Sequence, residues 1–381
     1  MLILENAVHY HNVKVYEKIF KNKFLITLYL AINEDKEFIK LDCPELLNKK
    51  KYNIINAWSH KIFFLKSIFL NKFDYYFVSY GPEQNKFYFL FNYIFYLIFS
   101  LIYNKKIIYR FGRCDLFFDK IKLKKLRFKD YNFKEENFAK ENIFTNIFRK
   151  IRIKAVKNSG YLSFETKTLR ENFKKYANFK SKHLVIKPTH KNEIEIKRFK
   201  SRNRIILGLH GALDPRRRDY NILLNELNKL NIKNKKKIIL KFLGSSNFIS
   251  KRTLKKKRDV FKENLIKKFK SIGIKTISTN KGFLTRKEYS KHIENVEFLL
   301  DIQKKDGHFF IKPTGLITDA QNFSKRILMN LENDPLREYK KLSVYYNTLS
   351  SGINKILDKK FKMNKVKIKV NNKTEINKID N

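Results

Sequence analysis

The sequence predicts an α/β fold built on parallel sheets, and three observations lead to this fold class. Between residues 204 and 320, short apolar runs alternate with polar loops and with segments of helix length. Similar runs recur in the amino-terminal half, and 381 residues suffice for two domains. This alternation is typical of parallel strands joined by crossover helices. Because ligands bind such sheets at the carboxyl ends of the strands, the loops there are the candidate functional segments.

The carboxyl-terminal half supplies the clearest strands. They are predicted at Arg204–Gly208, Lys237–Leu243, Ile274–Ile277 and Val296–Ile302. The loops that follow them each contain glycine, and they are Gly211–Tyr220, Gly244–Asn247, Gly282–Thr285 and Asp306–Gly315. Each loop is expected to lead into a helix that returns the chain to the sheet.

The amino-terminal half has the same alternation, which predicts a second βα domain. Its strands are predicted at Phe24–Ala31, Tyr52–Ile55, Asp74–Ser79, Lys106–Phe111, Gly160–Phe164 and His183–Lys187. Its helices are predicted at Lys61–Asn71, Asn85–Tyr103, Glu141–Val156 and Glu165–Tyr176. The polar segment Pro188–Ser201 reads as a linker without apolar periodicity. These features predict domains over residues 1–200 and 201–358, followed by a loose, basic tail over 359–381.

One segment of the first domain is unusually apolar. Phe87–Tyr103 has only Asn92 and Ser100 as polar residues among 17. As a helix it reaches roughly 26 Å, slightly less than the hydrocarbon core of about 30 Å. Three interpretations are open: a buried crossover helix, a helix that enters one leaflet, and a membrane span. The strand predicted at Lys106–Phe111 favours the first, because a span would separate it from Asp74–Ser79.

The net charge of +48 is typical of a nucleic-acid-binding protein, but here it is weak evidence for one. High Lys, Asn, Ile, Phe and Tyr contents are expected when A and T dominate the codons, and the basic residues are spread along the chain. Local concentrations at Lys120–Lys129, Lys233–Lys237 and Lys251–Arg258 are interpreted as solvated faces rather than binding patches. An anionic partner is nevertheless attracted by such a field.

The cysteine content and the amino-terminal sequence indicate the cellular compartment. Cys43 and Cys114 are the two cysteines, too few for a disulfide framework or a cysteine metal site, which favours a reducing compartment. Met1–Tyr10 lacks a basic start followed by a long apolar run, so no signal peptide is predicted.

Two loops of the second domain suit a diphosphate. In the loop that begins at His210, Gly211 permits close backbone approach, and Arg216 and Arg217 offer forked donors to phosphate at the start of a helix. An ordinary turn with solvated arginines is the alternative. In the second loop, Lys312 and Thr314 precede Gly315 at another expected helix start.

Asp319 lies one helical turn beyond Gly315, where its carboxylate is placed to accept hydrogen bonds from a ribose or sugar diol. A surface acid on an amphipathic helix is the alternative. Gly244, in the loop after the strand Lys237–Leu243, is either a further ligand contact or part of an ordinary turn. Thr285 and Glu288 have the spacing of a capping box, and Asp219 is expected at a helix start.

Two loops of the first domain carry candidate catalytic bases. Ser79–Gln84 includes Glu83, and Phe111–Asp115 ends in Asp115; both loops follow predicted strands. Either carboxylate would suit removal of a proton from an acceptor hydroxyl. Asp115 as a helix cap or as an ion-pair partner of Arg113 is the alternative. No metal-ligand spacing is found among His9, His11, His60 and His190.

Six stretches resemble, in order and spacing, one family of enzymes. They are Gly160–Arg170, His183–His190, Ile205–Tyr220, Lys237–Ser246, Gly282–Tyr289 and Lys312–Ala320. The family is the GT-B glycosyltransferases, in which two Rossmann-like domains face each other across a cleft and the carboxyl-terminal domain holds a nucleotide sugar. The sequence departs from that pattern in two places. Ala212 replaces a common arginine, with Arg216 or Arg217 at the position of a lysine, and Ile311 replaces the first of two acids, leaving Asp319.

The resemblance implies transfer of a sugar from a nucleoside-diphosphate sugar to a hydroxyl of a glycan or lipid-linked acceptor, in cell-surface polysaccharide synthesis. It implies no cofactor, no bound metal and no nucleic-acid partner, with a cytoplasmic location at an anionic membrane surface. Arg216, Arg217 and Lys312 would neutralise the diphosphate, assisted by helix N–H groups at Gly211 and Gly315. The alternatives are a noncatalytic, basic nucleic-acid-binding protein and a degenerate transferase that acts as a scaffold.

Overall fold

The computed structural model describes most of both halves of the chain. The described residues are 1–6, 10–31, 40, 43–48, 68–69, 73–79, 90–112, 114, 117, 143–189, 191–201, 203–215, 218–246, 259–279, 284–303 and 315–379. They divide into two compact units. Among the described residues, unit 1 contains 1–189 and 371–379, and unit 2 contains 191–303 and 315–370.

Unit 1 contains a parallel sheet of six strands in the order β2-β1-β3-β4-β5-β6. The strands are β1 (Leu2–Asn6), β2 (Thr27–Ala31), β3 (Tyr76–Val78), β4 (Ile107–Arg110), β5 (Tyr161–Phe164) and β6 (Lys182–Val185). Its helices are α1 (Tyr10–Phe20), α2 (Leu90–Ile102), α3 (Ile143–Lys157) and α4 (Lys167–Tyr176). Aromatic side chains fill the core; the Phe111 and Phe164 rings, for example, stack with centroids 5.0 Å apart.

The apolar segment Phe87–Tyr103 contains α2, and the structure shows its place in the sheet. The helix is 13 residues long and connects β3 to β4, which pair directly and in parallel. Tyr96, Phe99 and Tyr103 are buried in the core of unit 1. α2 is therefore a crossover helix with one buried face, and its opposite face is exposed. Across the described ranges, no helix combines the length and the apolar character needed to cross a bilayer.

Unit 2 contains a second parallel sheet of six strands, in the order β11-β10-β9-β12-β13-β14. The strands are β9 (Ile205–Leu209), β10 (Ile238–Phe242), β11 (Lys275–Ser278), β12 (Phe298–Leu300), β13 (Arg326–Asn330) and β14 (Ser343–Tyr346). The order turns back on itself between β9 and β12, which is the doubly wound arrangement. In this arrangement ligands bind beside the carboxyl ends of the two strands at the reversal.

Local capping explains where several helices of unit 2 begin. The helices are α5 (Tyr220–Asn228), α6 (Ile232–Lys235), α7 (Val260–Ser271), α8 (Arg286–Glu294), α9 (Gly315–Asn322) and α10 (Leu349–Leu357). Asp219 caps α5, accepting a hydrogen bond from the Ile222 N–H at 2.9 Å, as expected. Thr285 and Glu288 form the predicted capping box of α8. Gly315 is the first residue of α9, which confirms the expected helix start there.

The structure corrects the predicted linker and tail. Two strands lie in the linker, β7 (Glu193–Ile196) and β8 (Phe199–Lys200), and two in the tail, β15 (Lys362–Met363) and β16 (Val366–Lys369). β16 pairs with β7 and β15 with β8, both antiparallel. Helix α11 (Asn372–Asn377) follows β16 and belongs to unit 1. The linker does have apolar periodicity, because Ile194 and Ile196 are buried in alternation with exposed glutamates.

Most of the predicted strands are confirmed to within a few residues. The strand and helix expected at Tyr52–Ile55 and Lys61–Asn71 lie outside the described residues, apart from residues 68 and 69. β1, β13 and β14 were not predicted. The division between the units falls at residue 190, ten residues before the expected boundary at 200.

Candidate functional site

The candidate site of unit 2 lies where the strand order reverses. His210 directly follows β9 and Asp301 directly follows β12, and both side chains are buried. The loops after these two strands are joined by an antiparallel bridge between Arg218 and Gln303 and by a 2.9 Å hydrogen bond from the Asp219 N–H to the Ile302 carbonyl. The two loops that carry these polar side chains are therefore joined at the position where doubly wound sheets bind ligands.

Two glycines hold the loop after β9 against the loop after β10. Gly211 has a φ of +60°, a left-handed conformation that glycine adopts without strain. A Cβ atom on Gly244 would lie 1.7 Å from the Gly211 carbonyl oxygen, so only glycine fits at this position. The Leu213 N–H also donates to the Ser245 carbonyl at 3.2 Å. Backbone packing thus fixes the position of Gly211.

Asp319 is the centre of the polar network. The Tyr289 hydroxyl, from α8, donates to Asp319 Oδ2 at 2.6 Å. His210 Nδ1 lies 3.6 Å from Asp319 Oδ2, longer than a hydrogen bond. The Asp319 side chain is 23% exposed, and its Oδ1 has no hydrogen-bond partner within the described part of the chain. Tyr289 therefore orients one carboxylate oxygen, and the described residues leave the other without a hydrogen bond.

His210 is held as a neutral imidazole. Arg218 Nη2 lies 3.3 Å from His210 Nε2, and because arginine only donates, Nε2 is the acceptor and Nδ1 carries the proton. Burial lowers the pKa of His210 below its ordinary value; the charge of Arg218 also lowers it, and Asp319 opposes this shift. The Nδ1–H group lies near Asp319 Oδ2, at the 3.6 Å distance given above, so it is a second polar group beside this oxygen after the Tyr289 hydroxyl.

Asp301 is a buried carboxyl at the same edge of the sheet. It accepts hydrogen bonds from Asn333 Nδ2 at 2.8 Å, from the Asn330 N–H at 3.1 Å and from the Gln303 N–H at 3.4 Å. Burial raises the pKa of Asp301 to about 6, although these hydrogen bonds and the charge of Arg218 oppose the shift. The carboxyl therefore changes its charge within an accessible range of pH.

We expect the raised pKa of Asp301 to make stability depend on pH. Between about pH 4 and pH 6 the folded chain holds a proton that the unfolded chain has released, so the free energy of unfolding falls as pH rises. The contribution of this group reaches at most about 1.4 kcal/mol per pH unit. Urea unfolding from pH 4 to 7 should show a smaller fall for Asp301→Asn than for wild type. Equal slopes of the free energy of unfolding against pH would contradict the expectation. Asp358→Asn, at an exposed position, serves as the control.

The structure locates four of the predicted site residues. Gly211, Gly315 and Asp319 lie in the loop and helix that follow the two strands at the reversal, and Gly244, in the loop after β10, packs against Gly211. A Cβ on Gly315 would lie 3.9 Å from His210 Cε1. The prediction that Gly211 stands at a helix start is wrong, because α5 begins only at Tyr220. The remaining predicted residues lie outside the described ones, and they are Glu83, Asp115, Arg216, Arg217, Lys312 and Thr314.

Sequence reasoning missed three side chains of the network. Tyr289 and His210 were noted only as parts of loops, and Asp301 was included in a predicted strand. His210 and Asp301 each come directly after an apolar strand, and this position was the available signal. Tyr289 has no such signal, because thirty residues separate it from Asp319.

Unit 1 has its own buried polar cluster at the carboxyl ends of its strands. Arg110, at the end of β4, pairs with Glu165, which follows β5, and Arg110 Nη1 lies 3.4 Å from the Ser79 hydroxyl beyond β3. Cys114 is buried and not disulfide-bonded. Within the described ranges, no three His, Cys, Asp or Glu side chains form a group suited to a metal ion.

Comparison with known proteins identifies the fold. No family model and no curated protein sequence matches the chain. The lipopolysaccharide outer core galactosyltransferase WaaB, in its apo form, matches with a TM-score of 0.50 and 10% identity over 100% of this chain and 99% of WaaB. WaaG, a glycosyltransferase involved in lipopolysaccharide biosynthesis, matches with a TM-score of 0.48 and 10% identity over 94% of this chain and 90% of WaaG.

A third similar structure is the UDP-GlcNAc 2-epimerase of Methanocaldococcus jannaschii in complex with UDP-GlcNAc and UDP. It has a TM-score of 0.44 and 15% identity over 95% of this chain and 94% of the epimerase. The full-length match to WaaB agrees with the two six-stranded parallel sheets. The chain therefore has the GT-B fold.

Proposed function

We propose that the chain is a glycosyltransferase that transfers a sugar from a nucleoside-diphosphate sugar to a hydroxyl of a glycan or lipid-linked acceptor. The observation that carries the proposal is the oriented carboxylate of Asp319 at the reversal of the unit 2 sheet. Tyr289 holds one of its oxygens at 2.6 Å, and the other accepts no hydrogen bond from the residues that the structure describes. A free carboxylate oxygen beside a helix start suits the diol of a ribose or sugar whose phosphates lie at that helix.

The phosphates would lie against backbone and cationic groups around this carboxylate. The first N–H groups of α9, which begins at Gly315, have no partners within the helix and carry the positive end of its dipole. Arg216, Arg217 and Lys312 are the proposed cations for the diphosphate, as charge develops on the leaving group. No metal ion is part of this proposal.

The remaining parts of the proposal concern the acceptor. Glu83 and Asp115 follow strands of unit 1 in sequence, and either is the proposed base for the acceptor hydroxyl. The names of two similar structures, WaaB and WaaG, refer to lipopolysaccharide synthesis, which supports a cell-surface glycan as the product class. An acceptor of this class would bring the enzyme to the inner face of a membrane.

A nucleotide panel tests the donor. Thermal unfolding is measured with UDP, GDP, ADP and CDP at fixed ionic strength, with pyrophosphate as the control for unspecific attraction to a chain of charge +48. One diphosphate should give a saturable rise in Tm that clearly exceeds the rise with pyrophosphate. Equal shifts for all anions, or none, would contradict a nucleotide site.

Turnover tests the enzyme itself. Nucleotide sugars that carry the selected nucleoside diphosphate are incubated with the protein and a membrane extract as acceptor. Release of the nucleoside diphosphate is then measured. Binding without release or transfer would favour the degenerate scaffold over the transferase. Binding of nucleic acid that falls steeply with salt, with no nucleotide selectivity, would instead favour the nucleic-acid-binding alternative.

A further inference from the structure

An apolar stripe runs along the solvent side of α2 in unit 1. Ile94, Ile98, Leu101 and Ile102 are exposed, with Leu101 54% and Ile102 53% accessible. Their spacing of four, three and one residues places all four on one face of the helix. The opposite face, with Tyr96 and Phe99, is buried in the core. The helix is therefore apolar on the side that packs and also on the side that meets solvent.

The neighbouring helix α3 presents lysines on its solvent side. Lys150, Lys154 and Lys157 are exposed, and their spacing of four and three residues again defines one face. Ile147 continues the same face and is 44% exposed. The buried residues Ala155 and Val156 lie on the other side of the helix, in the core of unit 1.

The two faces form one surface. The chain passes from β3 through α2 to β4, and from β4 on to β5 by way of α3, always between adjacent parallel strands. Because such crossovers are right-handed, both helices lie on the same side of the sheet. They also pack against each other, and Asn158 Nδ2 lies 3.4 Å from the Ser100 hydroxyl. We call the exposed residues Ile94, Ile98, Leu101, Ile102, Lys150, Lys154 and Lys157 the α2–α3 surface.

The composition of this surface favours one kind of partner. Single exposed apolar side chains are common on proteins, but a contiguous stripe marks an interaction site. A second copy of the chain would bring its own lysines and a net charge of +48 to the same face, so repulsion opposes self-association. Nucleic acid would match the lysines and leave the aliphatic stripe in water. An anionic lipid bilayer matches both, since acyl chains take the stripe and headgroups the lysines.

We propose that the α2–α3 surface docks the protein on an anionic phospholipid bilayer, with α2 lying in the plane of the headgroups. The proposal rests on the proposed function, which includes a membrane, and specifies the surface of the protein that would contact it. It needs no nucleotide for its test, so its failure and the failure of the transferase proposal are distinguishable. α2 enters the headgroup layer without spanning, and the lysines of α3 hold it there by charge.

Vesicle sedimentation tests the proposal on the full chain. The purified protein is mixed with sucrose-loaded vesicles of phosphatidylcholine alone or of phosphatidylcholine with phosphatidylglycerol, and the bound fraction is measured against lipid concentration. We expect binding to the mixed vesicles, weakened by salt. Ile98→Gln with Leu101→Gln should lower the partition coefficient about tenfold or more, and Lys150→Gln with Lys154→Gln about fivefold per lysine.

Matched controls separate this surface from the general charge of the chain. Ile232 and Lys233 on α6 of unit 2, with Lys236 directly after the helix, form an exposed group of the same residue types, so Ile232→Gln with Lys233→Gln and Lys236→Gln should leave binding unchanged. The Tm of every variant is measured to verify folding. Equal losses in the α6 and α2–α3 variants would overturn the proposal. So would self-association in solution that the Ile98→Gln change abolishes.

Discussion

Replacing Asp319 by alanine is expected to weaken binding of the nucleoside diphosphate by about 10- to 150-fold. A hydrogen bond to a charged group contributes about 1.5–3 kcal/mol, and the substitution removes the acceptor proposed for the diol. The network that orients this acceptor is already formed without ligand, because the Tyr289 hydroxyl donates to Oδ2 at 2.6 Å. The dissociation constant is measured by calorimetry for the nucleotide that the thermal panel selects.

Two further variants separate the roles of charge and orientation. Asp319→Asn keeps an acceptor for Tyr289 but loses the charge, and Tyr289→Phe keeps the charge but removes the donor at Oδ2. Both are expected to lie between wild type and alanine in affinity. A purely structural role for Asp319 would instead lower the Tm of the free protein in all three variants and leave the dissociation constant unchanged.

Replacing Gly244 by alanine is expected to cost at least about 3 kcal/mol in the free energy of unfolding. The new Cβ would lie 1.7 Å from the Gly211 carbonyl oxygen, so the backbone of one loop has to move. No side-chain rotation relieves a contact with a carbonyl group. Urea unfolding at pH 7 measures the change, and nucleotide binding should weaken in parallel because Gly211 lies beside Tyr289.

Two other glycines give a graded comparison. A Cβ on Gly352 would lie 2.9 Å from Tyr346 Cβ, and a Cβ on Gly315 would have only an ordinary contact of 3.9 Å with His210 Cε1. The expected order of destabilisation is therefore Gly244→Ala, Gly352→Ala, Gly315→Ala, the last being close to zero. A Gly244→Ala protein as stable as the Gly315→Ala protein would contradict the close packing of the two loops.

The local pattern of apolar and polar residues predicted many of the strands and helices. A run such as Lys237–Leu243 is apolar and β-branched, and the structure has β10 at Ile238–Phe242 within it. β13 begins with arginine and β14 has only four residues, so neither produced a clear run. In the carboxyl-terminal segment, Val366 and Ile368 alternate with lysines in a strand pattern, but the basic composition drew more attention than this alternation.

The site was only partly accessible to sequence reasoning. Asp319 was identified because its distance from Gly315 is a property of one helix, which local spacing reports. Asp301 was missed because it continues an apolar run, and its burial depends on partners such as Asn333 from a later segment. Tyr289 reaches Asp319 from a different helix. Contacts of this kind depend on the packing of α8 beside α9, which no local pattern encodes.

The return of the last residues to unit 1 has a consequence for biosynthesis. Ile376 and Ile379 are buried with Ile3 and Phe77, and the hydroxyl of Tyr161 donates to the Ile379 carbonyl. Nascent chains generally fold their first domain while the rest is still being translated. Here the first unit lacks part of its interior until residues 371–379 have been synthesised, after the whole of unit 2. Its folding is therefore completed late, and loss of these residues would damage the half of the protein that is made first.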